Sequence, residues 1–528
     1  MSNYFSFRSG DRLRSVLLIL IGIVLADQAR FLFTYPVPDT GMWFGDESWT
    51  MLTVRALART GIARVPEALG SSLAHSNGLI NGSIWLSGLI YGVPATLFAD
   101  VASPVVIGRI ITFILALVSL YFIYRFSGRL GVPSSASLFG LLMLVSSNAF
   151  YFSSHSARLD TASGMSVLLY LYLLDSVFEQ SEANQLRMRW AFLLPFIATL
   201  SLTIYVHVPT LIVLPLLYSC WRLGVFHSVR MTAFSLLGTI VGIVIIVLIY
   251  WASTGFLDLL GKGYNQYYNV ANSLPVLHLL SWRVQKINTI DRFLQVWEVA
   301  WPLVITIVLG IGVRMWKRVP FNPKERFFLV NAILLLIGWG LFGGPAVFYN
   351  IHVLPVMGVC CAVLLAPIFQ QERVEKAGAI VPLLIIFAVF VIVSQERRGT
   401  VGARLVSGNK MAVAALSDPI ASGGTSPLIF TDEPAENAIA GHPGVRLMTN
   451  HLLLFGDENK PLPDILREQH VDYLLLYSGA HWRSPFRSIA DSLYTYIGER
   501  AGTFTDLGRT YDDPDWNEFD TLRLYKAK

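Results

Sequence analysis

Apolar runs long enough to cross a lipid bilayer recur along this chain, and no other feature narrows its possible folds so far. They fall at about 15–34, 104–124, 135–152, 161–178, 190–206, 208–221, 232–252, 294–313, 327–345, 349–369 and 377–394. A helix needs about 20 apolar residues to span hydrocarbon, where every backbone polar group must find its partner inside a helix or a closed barrel. Runs of this length predict a polytopic α-helical membrane protein. The composition agrees, at 54% hydrophobic and 14% charged residues, where a soluble domain has about 45–50% and about 25%. The formal charge of +5 then belongs to arginines and lysines in loops and implies no nucleic-acid partner.

One further run, 79–99, is interrupted by Asn81 and Pro94, and charge placement decides it. If 79–99 lies along the interface, Arg8, Arg12, Arg14, Arg125, Arg129, Arg187, Arg189, Arg222, Arg230, Arg314, Lys317, Arg318, Lys324, Arg326, Arg373 and Lys376 all fall on one side. That side is the cytoplasm by the positive-inside rule. If the run spans, every cluster after the first is outside. The interfacial reading gives eleven spans, a cytoplasmic N-terminus and a C-terminus outside. Residues 8–26 also have the order of a signal peptide, but apolar character resumes at Phe31-Leu32-Phe33 and further spans follow, which favours a retained anchor.

The expected organisation is a transmembrane domain over 1–395 and an extracytoplasmic domain over 396–528. Two external loops, 35–102 and 253–292, are long enough to build a site. The C-terminal segment has soluble composition and an α/β pattern: strand-like at 427–431, 445–448 and 471–477, helix-like at 434–440 and 462–468. Cys220, Cys360 and Cys361 all lie in apolar runs without metal or disulfide spacing, and read as core filler. No HExxH, CxxC, Walker or GxSxG motif is present, so metalloprotease, redox, nucleotide-hydrolysing and serine-hydrolase chemistry lack support.

The acids of the first loop carry the most chemical information. Gly45-Asp46-Glu47-Ser48 opens a stretch of helical spacing, Trp49 to Arg59, closed by Thr60-Gly61. Asp46 can be a helix cap and Glu47 a complement to the helix dipole. Alternatively, one of them faces an acceptor hydroxyl as a general base. Neighbouring helical residues point about 100° apart, so only one of the two can do so. Ser156-Ala157-Arg158-Leu159-Asp160 sits on the same outer side, between the third and fourth spans. Arg158 and Asp160 form either a local ion pair fixing that hairpin or part of the same cavity. Tyr349-Asn350-Ile351-His352 opens the tenth span, as an aromatic belt or as ligand contacts.

In combination these segments resemble the GT-C glycosyltransferases that use polyprenyl-phosphate sugars, a group including protein O-mannosyltransferases and lipid A aminoarabinose transferases. The resemblance rests on Gly45-Asp46-Glu47-Ser48-Trp49 leading to Val54-Arg55-Ala56-Leu57-Ala58-Arg59-Thr60-Gly61, on Ile107-Gly108-Arg109-Ile110 with Tyr124 to Gly131, on Ala157-Arg158-Leu159-Asp160, and on Tyr349 to Pro355. Order and spacing match over about 1–370. The resemblance implies a GT-C fold and transfer of a sugar from a polyprenyl-phosphate donor to a hydroxyl of a lipid, glycan or protein, outside the inner (plasma) membrane. It also implies Asp46 as base, Glu47 as supporting acid, Asp160 as the second-hairpin acid, and Tyr349 and His352 near the donor phosphate. The family's lysine-proline stretch is replaced by His75-Ser76-Asn77-Gly78-Leu79-Ile80. The phosphate contacts therefore fall to Arg55, Arg158 or the second loop (Lys262, Arg283, Lys286), with His75 kept as a candidate substrate contact. No metal ligands are assigned, although external carboxylates could recruit a divalent ion. The alternatives are a lipid or polysaccharide transporter or flippase, a polysaccharide ligase or polymerase, and a non-catalytic subunit.

Overall fold

The computed structural model describes residues 9–29, 32, 50–51, 54–55, 57–59, 85–98, 101, 104–154, 156–180, 187–205, 207–254, 300–342, 351–370, 427–431, 446–449, 462–477, 489–490, 492–501 and 521–528. Its helices follow the apolar runs. They are α1 (Ser9–Ala29), α2 (Trp85–Leu97), α3 (Pro104–Arg129), α4 (Ser134–Ser146), α5 (Asn148–Ser153) and α6 (Asp160–Gln180). They continue with α7 (Arg187–Leu200), α8 (His207–Arg222), α9 (Val229–Thr254), α10 (Ala300–Trp316), α11 (Pro323–Phe342) and α12 (Leu354–Phe369). Among the described residues, three helices are long and apolar enough to cross a membrane: the greater part of α3, α6 and α9. With these apolar helices the chain is an integral membrane protein.

Local chemistry sets the helix ends. Pro104 opens α3, where its fixed φ suits the first turn and its missing N–H costs nothing. Gly131 closes α3 at φ 82°, and the Val132 N–H donates to the Ser127 carbonyl at 3.1 Å, a left-handed glycine cap. The apolar run 135–152 is not one helix. Ser147 leaves helical geometry at ψ 141°, and its hydroxyl accepts the Phe150 N–H at 3.3 Å, ending α4 and starting α5. The run from 349 likewise begins its regular helix at Leu354, with Pro355 in the first turn.

Within 79–99, expected to lie along the interface, the described residues form the thirteen-residue helix α2. At a rise of about 1.5 Å per residue, α2 covers about 20 Å, short of the hydrocarbon thickness of about 30 Å. Its buried face is small (Ser87, Gly88, Gly92, Ala95) except for Tyr91, and its exposed face is apolar (Leu86, Ile90, Val93, Leu97). Gly88 and Gly92 let it lie against the helical residues near 54–58: a Cβ at 92 would overlap the Val54 carbonyl, and one at 88 would sit 2.7 Å from Leu57 Cδ2.

α3 and α6 run parallel with α4 returning between them. Their first turns share one end of the bundle and their last turns the other. At the latter, Arg129 reaches Asp175 at 3.5 Å and Glu179 at 2.6 Å, and Lys324 at the start of α11 joins Glu179 at 2.7 Å. The Arg222 guanidinium lies over the Phe178 ring, 5.9 Å from its centre. Arg314 makes two contacts to Glu325, at 2.7 and 3.3 Å, and donates to the Val363 carbonyl at 2.7 Å. Arg129, Arg222, Arg314 and Lys324, four of the basic residues that sequence placed on one side, thus lie at one end.

At the rim, α9 packs on α7 through Gly238 and Gly242. A Cβ at 238 would overlap the Phe192 carbonyl, and one at 242 would lie 2.8 Å from Thr199 Cβ. The other face of α9, with Leu236, Leu237, Ile240, Ile243, Val244 and Leu248, is exposed apolar surface suited to lipid.

The C-terminal region holds a five-stranded sheet in the order β2-β1-β3-β5-β4, formed by β1 (Leu428–Thr431), β2 (Arg446–Thr449), β3 (Tyr473–Tyr477), β4 (Tyr494–Ala501) and β5 (Thr521–Ala527). A short helix, α13 (Leu462–Glu468), precedes β3. β1 pairs in parallel with β2 and β3, whereas β5 is antiparallel to β3 and β4. The first three strands and α13 coincide with the sequence expectation. β4 and β5 were not expected, and the helix expected at 434–440 and the span at 377–394 lie outside the described residues.

Candidate functional site

Four of the residues singled out from sequence are described, and all four are buried: Arg55 (7% exposed), Arg158 (8%), Asp160 (3%) and His352 (0%). Asp46, Glu47, His75, Lys262, Arg283 and Tyr349 lie outside the described residues.

Asp160 is the centre of the arrangement. It begins α6, where a carboxylate favours the positive end of the helix dipole. Its Oδ2 accepts from Arg158 Nε at 2.8 Å, so the local pair read from sequence exists. That pair does not exhaust the carboxylate. Oδ1 stands 3.5 Å from His352 Nε2, which joins the turn before α6 to the entry of α12. Gly164 permits this approach, since a Cβ there would overlap the Ile351 carbonyl. The Tyr205 ring meets His352 edge-on, 5.6 Å between centres, and closes a third side.

The turn from 156 to 160 is held from several directions. The Arg158 N–H donates to the Ser156 carbonyl at 2.7 Å, and the Thr161 hydroxyl donates to the Ser153 carbonyl at 2.8 Å. The Arg158 carbonyl accepts from the Tyr91 hydroxyl at 3.1 Å, and Tyr91 meets Thr112 Oγ1 at 2.9 Å. Beneath it, an apolar cluster packs Met51 and Val54 against Tyr91, Ile107, Ala157, Leu159 and Ala162. A Cβ on Gly108 would lie 2.6 Å from Met51 Sδ and 2.8 Å from Ala157 Cβ. The Met51 side chain, four residues before Arg55, thus packs beside Gly108 and Ala157, the neighbours of Arg109 and Arg158.

Arg109, fully buried in the second turn of α3, is the residue that sequence reasoning passed over. The signal was available, because an arginine within an apolar helix is costly unless it lines a polar cavity or finds a partner. Tyr91, Thr112 and Tyr205 carried no such signal, since single hydroxyls and rings in apolar runs are common. Among the described residues, the buried ionisable side chains at this end are Arg55, Arg109, Arg158, His352 and Asp160. Such a set can hold an anionic group and stabilise negative charge that develops on it. Among the described residues no group of three or more potential metal ligands occurs.

No family model matches the chain, and no curated protein matches it. Solved structures do. ArnT from Cupriavidus metallidurans, in a crystal structure bound to undecaprenyl phosphate, superposes with a TM-score of 0.52 at 11% identity, covering 97% of each chain. The archaeal oligosaccharyltransferase AglB from Archaeoglobus fulgidus, in complex with an inhibitory peptide and a dolichol-phosphate, gives 0.50 at 10% identity, covering 91% of this chain and 72% of that one. Both are glycosyltransferases of one architecture. At such low identity the likeness concerns backbone arrangement, and in that respect the chain has the GT-C fold.

Proposed function

We propose that this protein is a membrane glycosyltransferase that moves a sugar from a polyprenyl-phosphate donor to a hydroxyl of a lipid, glycan or protein acceptor. The observation that carries this reading is the meeting, at one end of a GT-C bundle, of the buried Asp160 with Arg158 at 2.8 Å and His352 at 3.5 Å, with Arg55 and Arg109 also buried there. Arginine and histidine side chains gathered in a buried site suit contact with a phosphate, and a lipid-borne phosphate reaches such a site from within the bilayer. Undecaprenyl phosphate and dolichol-phosphate bound to proteins of the same fold agree with that chemistry.

In the proposed reaction Asp46 takes the proton from the acceptor hydroxyl. The acceptor oxygen forms a bond to the anomeric carbon while the bond from that carbon to the phosphate oxygen breaks. Its electron pair leaves with the polyprenyl phosphate, so one displacement inverts the anomeric centre. Arg55 and Arg158, helped by His352 and by Tyr349, Lys262, Arg283 or His75, neutralise the phosphate as charge accumulates there. Asp160 fixes Arg158, and Glu47 supports the loop that carries Asp46. The matching topology has eleven spans, a cytoplasmic N-terminus in the inner membrane, and residues 396–528 outside as a separate domain covering the site.

The test is mass spectrometry of envelope glycans from cells with the wild-type chain, with the Asp46→Asn variant, or without the protein. A sugar missing in the last two and present in the first supports the reading. An envelope unchanged by loss of the protein sinks it. A lipid-linked sugar that stays on the cytoplasmic leaflet when the protein is absent identifies a flippase instead.

A further inference from the structure

Tyr91 is the one large side chain on the buried face of α2, and it is fully enclosed. Its hydroxyl lies between two partners on different elements, Thr112 of α3 at 2.9 Å and the Arg158 carbonyl at 3.1 Å. A carbonyl only accepts, so Tyr91 spends its single hydrogen on Arg158. Thr112 Oγ1 is also 3.0 Å from the Gly108 carbonyl, and its one hydrogen serves either that carbonyl or Tyr91. In both cases the Arg158 peptide is held at both polar groups, by the Ser156 carbonyl at 2.7 Å and by Tyr91. Its side chain is then aimed at Asp160 from a fixed backbone.

The other face of α2 is the apolar stripe Leu86, Ile90, Val93 and Leu97, which suits the lipid interface. α2 therefore touches lipid on one side and, through one hydroxyl, the turn that bears Arg158 on the other. We propose that Tyr91 is a positioning residue for the phosphate-binding site, fixing the Arg158 backbone to the seat of α2. The proposal rests on the reading of that site as one for a lipid phosphate.

The experiment measures binding of undecaprenyl phosphate and of undecaprenol to the full-length protein in nanodiscs. Undecaprenol shares the lipid chain and lacks the phosphate, so a general loss of structure weakens both, whereas a misplaced Arg158 weakens the first alone. Tyr91→Phe keeps the ring and deletes the hydroxyl. The expected result is about a tenfold loss of affinity for undecaprenyl phosphate, the scale of one hydrogen bond, with undecaprenol binding unchanged. Should Tyr91→Phe fail to fold, Thr112→Val removes the partner hydroxyl at constant shape and is expected to give about a threefold loss of the same selective kind. Wild-type discrimination retained in the folded variants, or equal losses for both lipids, overturns the role of Tyr91 alone. A wild-type protein that binds both lipids equally overturns the phosphate reading, and the proposal with it.

Discussion

Among the described residues, the two ends of the bundle arrange their buried charge differently. At the basic-loop end the buried ionisable groups are Arg314, Glu325 and Asp175, one cation to two acids, with Arg129 and Lys324 at the surface answering Asp175 and Glu179. Arg314 is clasped twice by Glu325, donates to the Val363 carbonyl and lies over the Phe321 ring at 4.3 Å. Glu325 Oε2 also accepts the Asn322 N–H at 2.9 Å. That end is a finished clamp. At the α2 end Arg158 and His352 both reach Asp160, at 2.8 and 3.5 Å, and Arg55 and Arg109 are buried as well. A buried ion pair contributes little net stability once desolvation is counted, so a balanced clamp serves geometry. At the α2 end the carboxylate is instead shared between residues of two elements, Arg158 before α6 and His352 before α12, the arrangement that the proposed function uses on a phosphate.

The comparison is broken most directly at Asp46. Loss of a general base costs about 10²- to 10⁴-fold in rate. Asp46→Asn is therefore expected to abolish transfer in the glycan assay while the thermal melt of the purified protein stays that of the wild type. Near-normal transfer would remove Asp46 from the mechanism and return it to the role of helix cap.

The second test sets the two ion pairs against each other. Breaking a buried pair from one side costs about 3–5 kcal/mol, whereas replacing both members by apolar residues is often neutral. Arg314→Met alone should lower the melting temperature sharply, and Arg314→Met with Glu325→Leu should recover most of it with transfer intact. The same double exchange at Arg158 and Asp160 should leave a folded protein that transfers nothing. Equal tolerance at both ends would mean that the α2 end is a second structural clamp.

Two glycines make a milder contrast. A Cβ at 164 would overlap the Ile351 carbonyl next to His352, and one at 238 would overlap the Phe192 carbonyl at the α7–α9 contact. Either alanine overpacks its contact, at a cost of about 1–3 kcal/mol. Melting curves should shift alike for Gly164→Ala and Gly238→Ala. Only Gly164→Ala is expected to lose transfer, because it moves His352 away from Asp160.

How much of this was legible in sequence follows from what each feature depends on. Hydropathy located the described helices, because it acts over tens of residues. The break at Ser147 escaped notice because a single capping hydroxyl in an apolar run leaves the hydropathy unchanged. Asp160 and His352 were each visible as polar residues at helix mouths, yet nothing in a one-dimensional pattern joins positions 160 and 352. Arg109 stood in the resemblance without a role, although an arginine within an apolar helix was itself the signal. In the C-terminal region β1 to β3 alternate or run apolar as strands should, whereas the β4 stretch Tyr494–Ala501 includes Gly498, Glu499 and Arg500 and has exposed Tyr496 and Ile497. Its partner β5 is what makes it a strand.

That sheet supplies the smallest effect and a contrast with the membrane helices, where a lost hydrogen bond has no water to replace it. Tyr494 donates to the Val471 carbonyl at 3.2 Å. Tyr494→Phe should cost about 0.5–1.5 kcal/mol, read as faster amide exchange in β3 and β4. Burial, and then the charge of Asp472, pushes the Tyr494 hydroxyl from its ordinary 10.0 up to about 12. A phenol whose folded value is raised stabilises the fold below its unfolded value and loses that contribution as pH climbs through the folded one. Wild type and Tyr494→Phe should therefore differ in exchange at pH 9 and converge as the pH rises from about 10 to about 12. A difference that persists unchanged across that window would mean that the hydroxyl contributes through packing, and that the hydrogen bond to Val471 counts for little.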